Sequence, residues 1–168
     1  GLGVTEAYMK DPVHGRALAE EGLNLFKDAG RKGQVSTLQC FVAICCYASG
    51  DYDDASLFIN QSLKSAIANE ETYFKGRALV WEGRTKGKLS NIASLDSIRR
   101  IEEGLEILTE LDAYPDIAIG SLFLGELYAQ ENQEKMATTH IKAAEALFKE
   151  MRMDYWIEET GKIMNHFE

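Results

Sequence analysis

Residues 122–144 read LFLGELYAQENQEKMATTHIKAA, and two small residues in this stretch, Gly125 and Ala137, lie twelve positions apart on either side of a polar turn. Two antiparallel helices that cross at close range need small residues at the crossing, because a large side chain there would push the axes apart and leave voids. Tyr128 and Ile141 are placed to fill the space beside such a crossing, and Ala144 to meet the following helix. Working outward, Gly50-Asp51-Tyr52-Asp53-Asp54-Ala55 has the form of a helix stop followed by a capped helix start, with Ala43 and Ala55 again twelve apart and Ser62 as the contact to the next unit. Gly22, Ser62, Gly104 and Ala144 recur at intervals of about 40 residues, each within an apolar helical pattern. That interval holds two helices and two turns.

These residues resemble the tetratricopeptide repeat family: Leu124-Gly125, Tyr128, Ala137, Ile141 and Ala144 in one unit, and the turn from Gly50 to Ala55 in another. The resemblance implies an all-α fold, a right-handed α-α superhelix of antiparallel helix pairs closed by a C-terminal capping helix. It places a half repeat at 11–30, with Gly15, Ala19 and Gly22 on its remaining helix, repeats at about 34–69, 70–112 and 115–151, and the cap at 153–167, bearing Trp156, Ile163, Met164 and Phe167. The third unit departs from the pattern. Gly83 takes the first small position, but Ser97 and Gly104 fit the later ones only with a two-residue insertion around Leu89 to Ser94. Repeats of this length ending in a stretch such as Leu147 to Trp156 also look like the C-terminal arrays of large bacterial signalling proteins with an ATPase or cyclase region upstream.

Helix boundaries follow from periodicity and caps. Pro12 after Asp11, and Pro115, stand where apolar periodicity restarts, and a proline is tolerated only in the first turn of a helix. Helices are expected at about 12–28, 34–49, 52–68, 71–88, 95–111, 116–131 and 134–150, with a shorter one near 154–166, and no sheet, because no useful segment alternates with a period of two.

Composition narrows the function. The chain of 168 residues is 45% apolar and 27% charged, ordinary values for a globular protein. Its 27 acidic and 18 basic residues give a net charge of −9, which repels a phosphate backbone and disfavours nucleic acid as a partner. The longest apolar run, Phe41 to Ala48, falls far short of the roughly 20 residues that span a bilayer. The first residues also lack the basic-then-apolar order of a secretory leader. Cys40, Cys45 and Cys46, an odd number inside one apolar stretch without zinc-like spacing, read as small core residues in a reducing, cytoplasmic setting.

No catalytic constellation emerges. His14, His140 and His166 fall in different units, and none has a nucleophile or carboxylate at triad or metal spacing. Asp51, Asp53 and Asp54 lack the central glycine and distant glutamate of a calcium loop. No phosphate-cradling glycine loop is present, so neither cofactor nor metal is expected.

In the resembled family the first helix of each unit faces the concave side. Stepping from the crossing residues selects Thr37, Cys40, Ile44 and Tyr47, then Arg77, Val80, Arg84 and Lys88, then Ile119, Leu122 and Glu126 as the partner-binding row. Arg77, Arg84 and Lys88 form a basic strip along one helix, read either as a solvated face or as an anchor for a partner's carboxylates. On the anchor reading the partner is an acidic protein or peptide, and Arg84→Glu weakens binding while sparing the fold. Ile44, Arg84 and Glu126 stand where chaperone-binding members carry a carboxylate clamp of asparagines, so a chaperone-tail receptor is not expected. A rival reading is homo-oligomerisation through the apolar face that the N-terminal half repeat leaves uncovered.

Overall fold

The computed structural model describes residues 9–31, 33–90 and 95–164. Among them eight α-helices follow one another with no strand: α1 (Pro12–Asp28), α2 (Val35–Ala48), α3 (Tyr52–Ala68), α4 (Thr72–Ser90), α5 (Leu95–Glu110), α6 (Tyr114–Gln130), α7 (Glu134–Glu150) and α8 (Asp154–Met164). The expected boundaries hold to within two residues, and the expected end of the last helix near 166, like Phe167, lies outside the described residues. Pro12 opens α1 behind Asp11, whose carboxylate accepts a hydrogen bond from the His14 N–H at 3.2 Å. Pro115 lies in the first turn of α6, one residue after its start, where no intrahelical N–H is required of it.

One turn geometry repeats along the chain. The helix pairs α2–α3, α3–α4, α5–α6, α6–α7 and α7–α8 are each joined by three residues, and the middle one is left-handed: Gly50 (φ 80°), Glu70 (58°), Asp112 (52°), Asn132 (57°) and Arg152 (55°). The next N–H then bonds a carbonyl in the last turn of the preceding helix, Asp51 to Cys46, Glu71 to Ala66, Ala113 to Leu108, Gln133 to Tyr128 and Met153 to Phe148, at 2.8–3.0 Å. This closes helix carbonyls that would otherwise be unsatisfied and reverses the chain. Consecutive helices therefore pack as antiparallel hairpins, and the whole is an all-helical repeat array.

The small residues make the hairpins possible, and in two rows rather than one. A Cβ built on Gly83 would lie 2.5 Å from the Ser97 carbonyl oxygen, and one on Gly125 would lie 2.4 Å from Ile141 Cγ1 and 3.2 Å from the Ala137 oxygen. Gly83 and Ser97 are thus the crossing pair of the third unit, equivalent to Ala43 with Ala55 and Gly125 with Ala137, so the two-residue insertion leaves the crossing intact. The second row corrects the expectation that Ser62 and Gly104 meet the next unit. Ser62 Oγ donates to the Ser36 carbonyl at 2.7 Å, and a Cβ on Gly104 would lie 2.6 Å from the Gly76 oxygen, so both residues close their own hairpin. Ser36, Gly76 and Ala118 occupy equivalent positions one and two units apart, and all of these small residues are buried.

The array curves. Helix α2 touches α4, α4 touches α6, and α6 touches α8, whereas no comparable contact joins α1, α3, α5 and α7 among the described residues. The even-numbered helices form the inner row, and the others splay on the outer side. Helix α8 packs on α7 and α6, where Trp156 stacks on Phe148 (centroids 5.8 Å apart) and meets Phe123 at 6.1 Å, which makes it the cap of the apolar core.

Candidate functional site

The inner row is the surface that the sequence selects for a partner, and most of its side chains are already committed. Cys40, Ile44, Val80, Ile119 and Leu122 are all buried to 2% exposure or less. They are core residues in this structure, not displayed groove residues, because the inner helices are packed on nearly every side. Thr37, Arg84, Lys88 and Glu126 keep partial exposure, and Tyr47 and Arg77 almost none.

The basic strip is likewise not a row of solvated cations. Arg77 is buried, 3.4 Å from Asp116 and stacked over the Phe41 ring at 5.1 Å, while Tyr73 donates its hydroxyl to Asp116 at 2.7 Å. Burial works against the Arg77 charge, but Cys40 and Asp116 outweigh it and raise the pKa above the ordinary arginine value. The Tyr73 hydroxyl is pushed up by burial and by Asp116.

Arg84 occupies a more elaborate site. Its Nη2 lies 3.2 Å from Glu126 Oε1 and 3.0 Å from Oε2, and its Nε donates to the Tyr47 hydroxyl at 2.7 Å. The guanidinium carbon lies 3.6 Å from the centroid of Phe123, 4.9 Å from that of Tyr47 and 5.9 Å from that of Trp81, within the range of cation–π attraction. These rings belong to an aromatic spine across the inner row, with centroids 5.6 Å apart from Tyr47 to Trp81 and 5.0 Å from Trp81 to Phe123. Burial opposes the charge here too, and Glu126 and Tyr47 overcome it, so Arg84 is firmly cationic. Arg84 and Glu126 hold equivalent positions in neighbouring units, which is why the pair bridges α4 and α6 sideways.

Arg84 Nη1 and Thr37 Oγ1, both in this row, are buried without a hydrogen-bond partner. A buried donor left unsatisfied costs about 1–3 kcal/mol, so a bound acceptor at Arg84 Nη1 would recover that loss. The side chain of Arg84 is only 13% exposed, which overturns the premise that Arg84→Glu would spare the fold. That change would set two carboxylates against each other inside the aromatic cage.

Asp116, Tyr73, Trp81 and Phe123 belong to this site and were not selected from the sequence. Asp116 follows Pro115 in a first turn, where an acid is explained by the helix dipole alone. The sole signal was the equivalence of Arg84 and Glu126 one unit apart, with opposite charge.

The thiols are inert. Burial pushes Cys40 and Cys46 up to about 11 and Cys45 up to about 12, although Arg77 and Arg16 act in the other direction. No group of three or more His, Cys, Asp or Glu among the described residues could hold a metal ion, and no helix there is long and apolar enough to cross a membrane. No protein-family model matches the chain, and neither does any curated protein.

Proposed function

We infer that the chain is a tetratricopeptide-type interaction scaffold that holds a peptide, a helix or a neighbouring domain against its inner row, with no catalysis of its own. The observation that carries this reading is Arg84: a cation fixed by Glu126, Tyr47 and Phe123 on the concave side, with Nη1 buried and unsatisfied. A guanidinium held in this way is preorganised for a carboxylate or carbonyl of a bound segment, since little side-chain freedom is left to lose on binding. Thr37, Lys88 and Glu126 supply polar contact around it, and an acidic partner suits the cation. The repeat length and the three buried thiols fit a module of a larger signalling protein in a reducing cytoplasm.

The test is selection of displayed peptides on the full chain, followed by comparison of wild type with the Arg84→Gln/Glu126→Gln double variant, which replaces the ion pair by neutral hydrogen-bonding groups of similar size. Selected peptides are expected to share an acidic position and to bind the double variant at least tenfold more weakly. A selection that never enriches above the naive library would remove the scaffold reading.

A second reading rests on α1, where Val13, Leu18 and Leu25 are 76%, 46% and 62% exposed. Leu18 and Leu25 stand two turns apart on one face, suited to a second copy of the chain. Solution mass measured over a hundredfold range of concentration tests it, and a constant monomer mass excludes it.

A further inference from the structure

The turns that lead from an outer helix to the next inner one lie along one edge of the array, and three notches are cut into it. Their walls are built from equivalent residues. Lys27, Arg31 and Val35 of the first notch stand one unit before Ile67, Glu71 and Lys75 of the second. Ser65 and Asn69, also in the first, are equivalent to Leu147 and Met151 in the third. The fold thus repeats one feature along the edge.

The first notch measures about 460 Å³, the others about 200 and 260 Å³, and the difference has a local cause. The connection from α1 to α2 starts like the other turns, with Gly30 left-handed (φ 63°) and the Arg31 N–H bonded to the Phe26 carbonyl at 2.9 Å. Gly33, a poor helix former, and a left-handed Gln34 (φ 68°) then delay α2 until Val35. Thr72 and Tyr114, each two residues after the left-handed turn residue, already open α4 and α6. Nearly one turn of helix is missing from α2, and its absence widens the notch.

The chemistry changes along the edge. Arg16, Arg77, Arg84 and Lys86 each meet a carboxylate, but among the described residues Lys27 and Arg31 meet none, and both are exposed. In the second notch Glu71 already accepts the Ser36 hydroxyl, and Ile67, 56% exposed, lies between the opposite charges of Glu70 and Lys75. In the third, Tyr114 is 52% exposed beside Leu147 and Met151, with Glu150 completing the wall. The edge therefore runs from cationic to largely apolar. Neighbouring inner helices touch, at interaxial distances of about 8–10 Å, so the first and third notches, two units apart, are separated by about 16–20 Å. An extended chain at about 3.3 Å per residue covers that span in about five or six residues.

We propose that this edge is a second peptide-binding surface, which takes an extended segment with carboxylates in the first notch and a large apolar side chain, about five or six residues away, in the third. Charge complementarity chooses the acidic end: Lys27 and Arg31 converge on one cavity without a carboxylate of their own. The surface makes no use of Arg84 or Glu126, so it stands apart from the inner-row site.

The test displays short random peptides that fix an Asp-Asp pair and a Leu about five residues later, with a control library that fixes Lys-Lys in place of the acids, and selects both on the full chain. Binders from the acidic library are expected to lose at least tenfold in affinity, read by fluorescence anisotropy, on Lys27→Glu/Arg31→Glu and on Tyr114→Ser. They should bind Arg84→Gln/Glu126→Gln like wild type. All three substituted positions of the edge are exposed, and helix circular dichroism checks that each variant is folded. Binders that ignore Lys27→Glu/Arg31→Glu overturn the proposal, and so does an acidic library that enriches no better than its control. Binders lost only on Arg84→Gln/Glu126→Gln support the inner row and refute the edge. A solution mass that rises with concentration for wild type and not for Lys27→Glu/Arg31→Glu assigns the edge to a second copy of the chain and overturns the peptide.

Discussion

Replacing Gly83 by alanine adds one methyl group at the crossing where a new Cβ would come closest to the backbone of a facing helix. In an exposed helix interior the change would stabilise by roughly 1 kcal/mol, because alanine loses less backbone freedom on folding. At Gly83 the new Cβ would lie 2.5 Å from the Ser97 carbonyl oxygen, 2.6 Å from Ile101 Cγ1 and 3.1 Å from the Ile101 nitrogen. Two of those atoms are backbone, so α4 and α5 must separate, and overpacking of this kind costs about 1–3 kcal/mol. Set against the propensity gain, a net loss of up to about 2 kcal/mol is expected, or up to roughly 8 °C in melting temperature for a domain of this size. Two other glycines calibrate the result. At Gly87 the Cβ would meet Leu127 Cδ2 at 2.5 Å, the end of a side chain that can rotate away, so Gly87→Ala should be close to neutral. At Gly161 nothing lies within 4 Å, and Gly161→Ala should gain up to about 1 kcal/mol. Urea unfolding followed by helix circular dichroism, with tryptophan fluorescence to reveal any unit that opens alone, ranks the three. Gly83→Ala as stable as Gly161→Ala would refute the close crossing and the repeat alignment built on it.

Glu70 holds φ 58° in the turn between α3 and α4, a conformation that costs a side-chain-bearing residue roughly 1–2 kcal/mol, so Glu70→Gly should raise the urea midpoint by an amount worth about 0.5–1 kcal/mol after the glycine's greater unfolded freedom is counted. His140 stacks on Tyr128 at 5.4 Å, and burial lowers its pKa below 6.5, with Glu102 opposing. Its contribution is therefore complete above the unfolded value of about 6.5 and declines as pH falls below it, and His140→Gln should flatten the stability profile between pH 7 and 5. Cys40, Cys45 and Cys46 should react with an aromatic disulfide reagent only as fast as the native state opens, and prompt reaction of any of them at pH 8 would contradict their burial and raised pKa.

The hairpins were legible because their cause is local. A small residue such as Gly125 or Ala137 at a fixed spacing has few reasons to recur other than a close crossing, and Gly50 before Asp51 marks a turn with or without a structure. The second row of small contacts was half legible: Ser62 and Gly104 stood out, but their partners Ser36 and Gly76 lie on the same hairpin, and no periodicity distinguishes that from contact with the next one. The inner row was misread for a physical reason. Helical stepping tells which way a side chain points, and an amphipathic helix then tells which face is wet. Helix α2 is buried from Gln39 to Tyr47 without a break, so direction no longer implies exposure.

The inner row joins two demands that would conflict in a flat array. Curvature brings α2, α4 and α6 into contact, so a charge that points into the inner row must find a partner sideways or be left buried and unpaired, at a cost that for a broken buried pair is about 3–5 kcal/mol. Arg77 with Asp116 and Arg84 with Glu126 meet that demand between α4 and α6, each pair joining one unit to the next. Such pairs add little net stability over apolar residues of the same shape, but they tie the two helices to one register. An apolar row alone would tolerate sliding. Sliding would move Arg84 off Phe123 and Tyr47 and spread the aromatic spine, so the same lateral pairing that sets the curve also fixes where Nη1 points. The surface that stays partly exposed on the inner row is small and polar, Arg84 and Glu126 flanked by Thr37 and Lys88. On the proposed scaffold reading, specificity would come from the placement of one or two acceptors on a bound segment.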